Sequence, residues 1–176
     1  IGSKITTFLS HWLIVSTVRD EQFEEITFNE GVFAKRESGK WIGQKVSHGT
    51  VVKWQPSEEF FTHTEVEIGK IKSLFKTISC LCLGLTIVLK EHIVEPASFG
   101  KSEEKIKETI YHSEHGLNDL VDEAVKRKEI ISNRFDMKFV EGKYKMDMVM
   151  TYTSNYSSTI VPYVNTGLTE RGPHIT

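Results

Sequence analysis

Residues 11–28 constrain this chain most tightly. HWLIVSTVR, His11 to Arg19, is rich in β-branched residues; Asp20-Glu21 follows; then QFEEITF, Gln22 to Phe28, returns. β-branched side chains lose rotamer freedom in a helix and pack well on a pleated surface. Two such runs joined by two polar residues predict an antiparallel hairpin. Ile26 and Phe28 fall on one face of the returning strand and Phe23 on the other. Asn29-Glu30-Gly31 makes a second turn.

The flanks extend this beginning. Ser3 to Ser10 reads as the last turns of a helix, because Ile5, Phe8, Leu9 and Trp12 keep a three-to-four spacing. Lys35 to His48 is polar and holds Gly39 and Gly43, which predicts a loop around a short strand. Thr50 to Gln55 is strand-like, and Pro56 ends it because proline cannot donate to a ladder. Glu65 to Ser79 is an amphipathic helix: Ile68, Ile71, Leu74, Phe75 and Ile78 form its apolar stripe, with Lys70, Lys72 and Lys76 outside it. Gly84 to Lys90 predicts a buried strand.

Glu95 to Lys107 is charged, contains Pro96 and Gly100, and has few apolar anchors. Such a stretch cannot offset its ordering entropy by burial and is expected to be a flexible insertion. Gly116 to Lys126 predicts a second helix, with Leu117, Leu120, Val121, Ala124 and Val125 on one face, Ser113 as its cap and Glu114 in its first turn. Tyr144, Met146, Met148, Met150 and Tyr152 share one face of a strand, and Thr159 to Val164 is expected to pair with it across Ser154-Asn155. The expected fold is α+β in two parts, with a break near residues 95–116.

The 176 residues suffice to bury a core. A net charge of -2 gives no general attraction to nucleic acid or membrane, so any DNA contact needs a local patch or a part outside this sequence. The longest apolar run, Ile78 to Leu89, is too short to span a bilayer and is broken by Gly84, and no signal peptide is visible. Cys80 and Cys82 are one residue apart, too close for an ordinary disulfide loop and too few for a metal site; they read as small buried hydrophobes of a reducing compartment. The chain begins IGSK and ends PHIT, and is expected to be a piece of something longer. His112 and His115 have a spacing that could seat a metal on a helix, but the intervening Ser113 and Glu114 are ordinary helix-start residues. No G-x-S-x-G, Walker A or C-x-x-C pair is present, so generic motifs leave the activity open.

Four strings in order are more specific. IGSKITTFLSHWLIVSTVRD resembles the end of a glycine box, G-x-x-G-x-G, followed by a helix and a strand ending in R-D; Gly2 matches the last glycine, Ser10 the helix-end serine and Arg19-Asp20 the R-D. HGTVVKWQPSEEFF resembles T-G-T-x-V-x-F-x-P-D-x-x-x-F. YHSEHGLNDLVDEAV is similar to F-H-Y-E-G-G-I-x-x-F-V-x-x-L, and YVNTGLTERGPH to Y-V-N-N-I-x-T-x-E-G-G-T-H. These patterns belong to the ATPase subunit of type IIA DNA topoisomerases, the gyrase B and topoisomerase IV ParE family with its phage-encoded relatives. The resemblance covers residues 1–95 and 109–176.

The resemblance implies that residues 1–113 are the C-terminal part of a GHKL (Bergerat-type) ATPase domain, a mixed sheet with helices on one face. Residues 114–176 would begin a transducer domain like the second domain of ribosomal protein S5. It implies ATP and Mg2+ as cofactors, with the magnesium ligand outside this sequence. Gly2, Ser3 and Lys4 would lie at the phosphate end, where backbone N–H groups and a helix N-terminus cradle anions. Thr50 would contact the adenine end, since a hydroxyl both donates and accepts; Gly49 would let the backbone approach, and Val52 would pack nearby. No catalytic residue is expected here. The water-activating Glu, the magnesium-holding Asn, the D-x-G-x-G motif and the Q-T-K loop of the family all fall outside these residues. Glu25 stands where gyrases carry an arginine used by coumarin inhibitors, Asp20-Glu21 lacks the usual turn glycine, and ERGPH replaces E-G-G-T-H.

For the parent protein the resemblance implies ATP-dependent passage of one DNA duplex through another in the cytoplasm. The implied partners are DNA, a second copy through the ATPase region, and a DNA-cleaving protein of the gyrase A or ParC type, with no membrane. The alternatives are another GHKL ATPase of the mismatch-repair or chaperone type, against which the Y-V-N string speaks, and a non-catalytic dimerisation or binding module that kept the fold.

Overall fold

The hairpin expected from residues 11–28 forms. In a computed structural model, which describes residues 2–42, 48–95 and 103–169, β1 (Ser10–Arg19) pairs antiparallel with β2 (Gln22–Asn29), and Arg19 stands opposite Gln22. Only Asp20 and Glu21 remain for the turn, and both have positive φ, 50° and 60°. Two left-handed residues in succession give the type I′ turn, whose twist matches that of the strands it joins. Glu30 and Gly31 repeat the pattern at φ 49° and 79° and lead into β3 (Val32–Lys40).

β3 corrects the expectation of a loop around a short strand. It is a nine-residue strand, exposed along its whole length, at one edge of a sheet ordered β3-β2-β1-β4. An edge strand exposed on both faces has no apolar period to advertise itself, and its charges are what guard such an edge. β4 (His48–Pro56) lies on the other side of β1, with Pro56 as its last residue opposite Ser10. The resemblance implies a mixed sheet; the described strands of this one all pair antiparallel.

Residues directly opposite each other share a face. One face carries Leu13, Val15 and Thr17 of β1, flanked by Trp54, Val52 and Thr50 of β4 and by Phe28, Ile26 and Glu24 of β2. The other face carries Ile14, Ser16 and Val18 with Lys53, Val51, Glu25 and Phe23. α1 (Gly2–Phe8) enters β1 through a pinned corner: Ser10, almost fully buried, donates from Oγ to the Thr6 carbonyl, and the Ser57 N–H donates to the Leu9 carbonyl at 3.0 Å. A Cβ on Gly31 would come within 2.5 Å of the Phe8 ring, so this turn needs glycine for space as well as for φ.

The chain divides into two compact units, Ile1–Val66 and Glu67–Thr176. The second begins with α2 (Ile68–Leu81), which starts where its apolar stripe does, three residues later than the expected Glu65, and ends beyond the expected Ser79. It therefore includes Cys80, which is buried as expected; Cys82, expected to be buried too, caps the helix and is only partly buried, and both thiols are free. Leu74 of the expected stripe is half exposed. Lys72, expected outside it, is the half-buried one, with Nζ 2.8 Å from Glu91 Oε1 and donating to Oε2 at 3.0 Å.

β5 (Ile87–Glu95) and β6 (Glu103–Tyr111) form an antiparallel hairpin from Ile87 opposite Tyr111 to Glu95 opposite Glu103. Two expectations change. β5 is not buried on both faces, since Val88 and Val94 are exposed. The charged stretch, expected to be a flexible insertion, contributes residues from Glu103 onward to a strand; its residues 96–102 lie outside those described. Towards Tyr111 its charges fit the ladder because opposite signs face each other: Lys90 pairs with Glu108 at 3.2 Å, and Glu91 stands opposite Lys107.

α3 (Leu117–Val125) starts at Gly116, whose φ of 61° and ψ of -124° suit glycine alone. Buried Ser113 accepts the Gly116 N–H at 2.8 Å and donates to Asp119 Oδ2 at 2.6 Å. Ser113 thus anchors the helix start, but the acid of the first turn is Asp119, not Glu114. β7 (Phe135–Glu141) and β8 (Tyr144–Met150) form the next hairpin around Gly142. The expected partner of β8 is Thr159 to Val164; its actual partner is β7, and the later residues instead form the short pair β9 (Tyr163–Val164) and β10 (Gly167–Leu168). Proximity across a Ser-Asn pair suggests the wrong partner, where Gly142 supplies the positive φ of 57° that a tight hairpin turn needs.

Within this unit the elements are tied by specific contacts. Phe75 of α2 meets Tyr111 of β6 edge-on at 6.1 Å, and Lys76 of α2 pairs with Glu123 of α3 at 2.8 Å. Arg134 donates to Asn118 at 3.0 Å and to Asp122, and Asn118 donates to Asp136 of β7 at 3.0 Å.

Candidate functional site

The β1–β4 ladder brings two threonines together that are 33 positions apart in the chain. Thr17 and Thr50 are directly opposite, and their hydroxyl oxygens are 3.4 Å apart. Thr17 Oγ1 also donates to the Gly49 carbonyl at 3.2 Å. An open cleft at this end of the ladder is lined by Thr17, Val18, Arg19, Asp20, His48, Gly49 and Thr50. Val52 lies on the same face as Thr50, opposite Val15, and is 55% exposed, so it offers an apolar surface beside the hydroxyl.

Thr17 is the residue that sequence reasoning missed. Its signal is the register: once Arg19 is set against His48, Thr17 must meet Thr50. The sequence shows the β1–β2 turn directly but offers no turn that joins β1 to β4, because β2 and β3 come between them.

Gly2, Ser3 and Lys4 occupy the first turn of α1 and are exposed. The Gly2 and Ser3 carbonyls accept from Thr6 Oγ1 and Thr7 Oγ1 at 3.1 and 2.9 Å, so their acceptors turn into the helix. α1 joins β1 at Ser10, and Thr17 lies seven positions further along that strand, about 24 Å at a rise of roughly 3.4 Å per residue. The site residues therefore form two groups: Thr50 and Val52 share one sheet face, and Gly2 to Lys4 belong to the helix that enters the strand from its other end. Glu25 falls outside both. It accepts from Ser16 on the face opposite Thr50 and Val52.

His112 is engaged as well. Its Nδ1 lies 3.1 Å from the Leu85 carbonyl oxygen and 3.2 Å from Thr86 Oγ1. Among the described residues no group of three His, Cys, Asp or Glu side chains is placed to hold a metal ion, and no helix is long and apolar enough to cross a membrane.

No protein-family model matches the chain. The DNA gyrase B protein of Cytophaga hutchinsonii is 33% identical to it over 138 residues, covering 77% of this chain and 28% of that protein. The chain belongs to the gyrase B/ParE family. The DNA gyrase B protein of Thermotoga maritima aligns with all of it at 27% identity, across 27% of its own length. The crystal structure of the 43K ATPase domain of Thermus thermophilus gyrase B, in complex with an aminocoumarin, superposes with a TM-score of 0.76 over 95% of this chain and 43% of that one, at 18% identity. The α+β fold is thus that of a partial GHKL ATPase domain of the gyrase B kind. The chain spans about a quarter of the length of the gyrase B proteins it matches, 28% and 27% of these two.

Proposed function

We propose that this chain is part of the ATP-binding subunit of a type II DNA topoisomerase, in which ATP binding and hydrolysis drive passage of one DNA duplex through another. Residues 1–113 form the C-terminal part of the ATPase domain and residues 114–176 begin the transducer. The observation that carries the reading is the placement of Thr50 and Val52: a hydroxyl that lines an open cleft, with an apolar side chain next to it on the same sheet face, as the edge and the plane of a nucleobase require.

Exposed surface supports the same conclusion. Among the described residues only Leu13 and Cys80 are fully buried apolar side chains, while Val52 and Trp54 of the Thr50 face are about half exposed. Sheet faces this apolar call for further protein against them, which the rest of an ATPase domain supplies.

Within that domain Thr50 hydrogen-bonds to the base and Val52 packs on it. The amides of Gly2, Ser3 and Lys4, with the Lys4 ammonium, hold phosphate. Bound ATP supplies the phosphoryl group whose hydrolysis is coupled to strand passage. The magnesium ligand, the water-activating carboxylate and the lysine that reaches the γ-phosphate come from residues beyond these. The partners are DNA, a second copy of the protein through the ATPase region and a DNA-cleaving protein of the gyrase A or ParC type, all in the cytoplasm.

Thr50→Ala should weaken ATP binding to the intact protein by about 1–2 kcal/mol, the scale of one buried hydrogen bond left unmade. A calorimetric titration with unchanged affinity removes Thr50 from the site. The purified 176-residue chain should not hydrolyse ATP, because water activation and charge stabilisation at the γ-phosphate both need groups outside it. Turnover by this chain that disappears in Thr50→Ala would refute the assignment of those groups elsewhere.

A further inference from the structure

We infer that Thr17 is a positioning residue that fixes the polarity of the Thr50 hydroxyl, so that the cleft selects a nucleobase presenting an N–H donor. This rests on the reading of Thr50 as a base-contacting residue. A hydroxyl has one proton and two lone pairs. The Gly49 carbonyl can only accept, so the 3.2 Å bond from Thr17 Oγ1 uses the Thr17 proton. What Thr17 offers Thr50, 3.4 Å away, is then a lone pair, and Thr50 is the donor in that contact. With its proton directed at Thr17, Thr50 has only lone pairs left for the cleft.

A lone Thr50 could rotate to donate or accept and would discriminate little between bases. Held by Thr17, it accepts. A purine with an exocyclic 6-amino group satisfies it, and a purine with a 6-oxo group at the same place sets oxygen against oxygen, leaving both without a partner. What this chain contributes to base selection is therefore not Thr50 by itself but the cross-strand pair. It depends on the β1–β4 register and would be lost with a one-residue slip, which would turn Thr50 to the opposite face.

The test is binding of ATP and of inosine triphosphate, with magnesium, to the intact protein carrying Thr17→Val, Thr17→Ser or Thr50→Ala. Valine keeps the β-branched shape and removes the hydroxyl; serine keeps the hydroxyl. Thr17→Val should lower the preference for ATP over inosine triphosphate by about threefold to tenfold, the range of one neutral hydrogen bond. Thr17→Ser should stay within about twofold of the unaltered protein, and Thr17→Val should have no further effect on the preference in a Thr50→Ala background. Thr17→Ala, which also removes the hydroxyl, gives the same reading should Thr17→Val fold poorly. An unchanged preference in Thr17→Val and Thr17→Ala, with ATP binding weakened by Thr50→Ala, overturns the inference and leaves the nucleotide site standing. Absence of binding by the intact protein, or indifference to Thr50→Ala, overturns the nucleotide site and the inference with it.

Discussion

Asp20 and Glu21 hold the first hairpin at some expense, because L residues adopt left-handed backbone at about 1–2 kcal/mol each. The second position of this turn type is one where glycine is favoured. Glu21→Gly should raise the unfolding free energy by up to about 1 kcal/mol, net of the entropy that glycine gains in the unfolded chain. Gly31 is the opposite case. It has a φ of 79°, and a Cβ would lie 2.5 Å from the Phe8 ring, so Gly31→Ala should destabilise by about 1–3 kcal/mol. Denaturant titration of the two variants should move the midpoint in opposite directions; a lower midpoint for Glu21→Gly would mean that the turn is not left-handed. The sequence carried both turns because Asp-Glu and Glu-Gly interrupt β-branched runs. Thr50 stood out through the string around it, whereas Thr17 did not, since a residue in mid-strand acquires its role only from the strand laid beside it.

At the scale of elements, the helices and the β1–β2 hairpin were legible and the other strand partners were not, the tight β7–β8 hairpin among them. α2 and α3 follow from apolar spacing, and β1–β2 from a two-residue turn. β3 and β6 are charged strands held by backbone pairing, with opposed charges at Lys90–Glu108 and Glu91–Lys107 in the second case, which leaves no apolar period in the sequence. α3 shows how local chemistry then fixes an element. Ser113 is buried and bonded on both sides, so Ser113→Ala should lower the unfolding free energy by about 1–2 kcal/mol. Unaltered stability would show that Gly116 and Asp119 find other partners. The same helix should be acid-sensitive. The hydrogen bond from Arg134, with its charge, holds the Asp122 carboxyl below its ordinary range, and Lys76 does the same for Glu123. A carboxyl with a depressed folded value stabilises fully above its unfolded value, near 4, and loses that contribution as pH falls through the folded value. The melting temperature should therefore fall below about pH 4, and Arg134→Gln should flatten that part of the curve by removing the Asp122 share. An identical acid limb in Arg134→Gln would show that the Arg134 pair is not coupled to folding.

For the whole molecule the relevant fact is that its contacts divide between Val66 and Glu67. The segment leading to that point, residues 58–66, is exposed throughout and contains no strand or helix beyond a short turn after Ser57. Proteases need several residues of unpaired, accessible backbone, which strands in a ladder do not offer without opening. Glu58, Glu59, Glu65 and Glu67 place glutamyl bonds in or next to this segment, while Glu24, Glu25 and Glu37 lie in β2 and β3 and Glu104 and Glu108 in β6. Brief digestion with a glutamate-specific protease should therefore cut at Glu58 to Glu67 before it cuts within these strands, giving one product that ends near Val66 and one that begins near Ile68. Mass spectrometry of the first products identifies the bonds. Early cleavage at Glu104 or Glu108, with residues 58–67 intact, would show that the β5–β6 ladder opens more readily than the joint between the units, and would return residues 103–107 to the flexible insertion that their composition suggests.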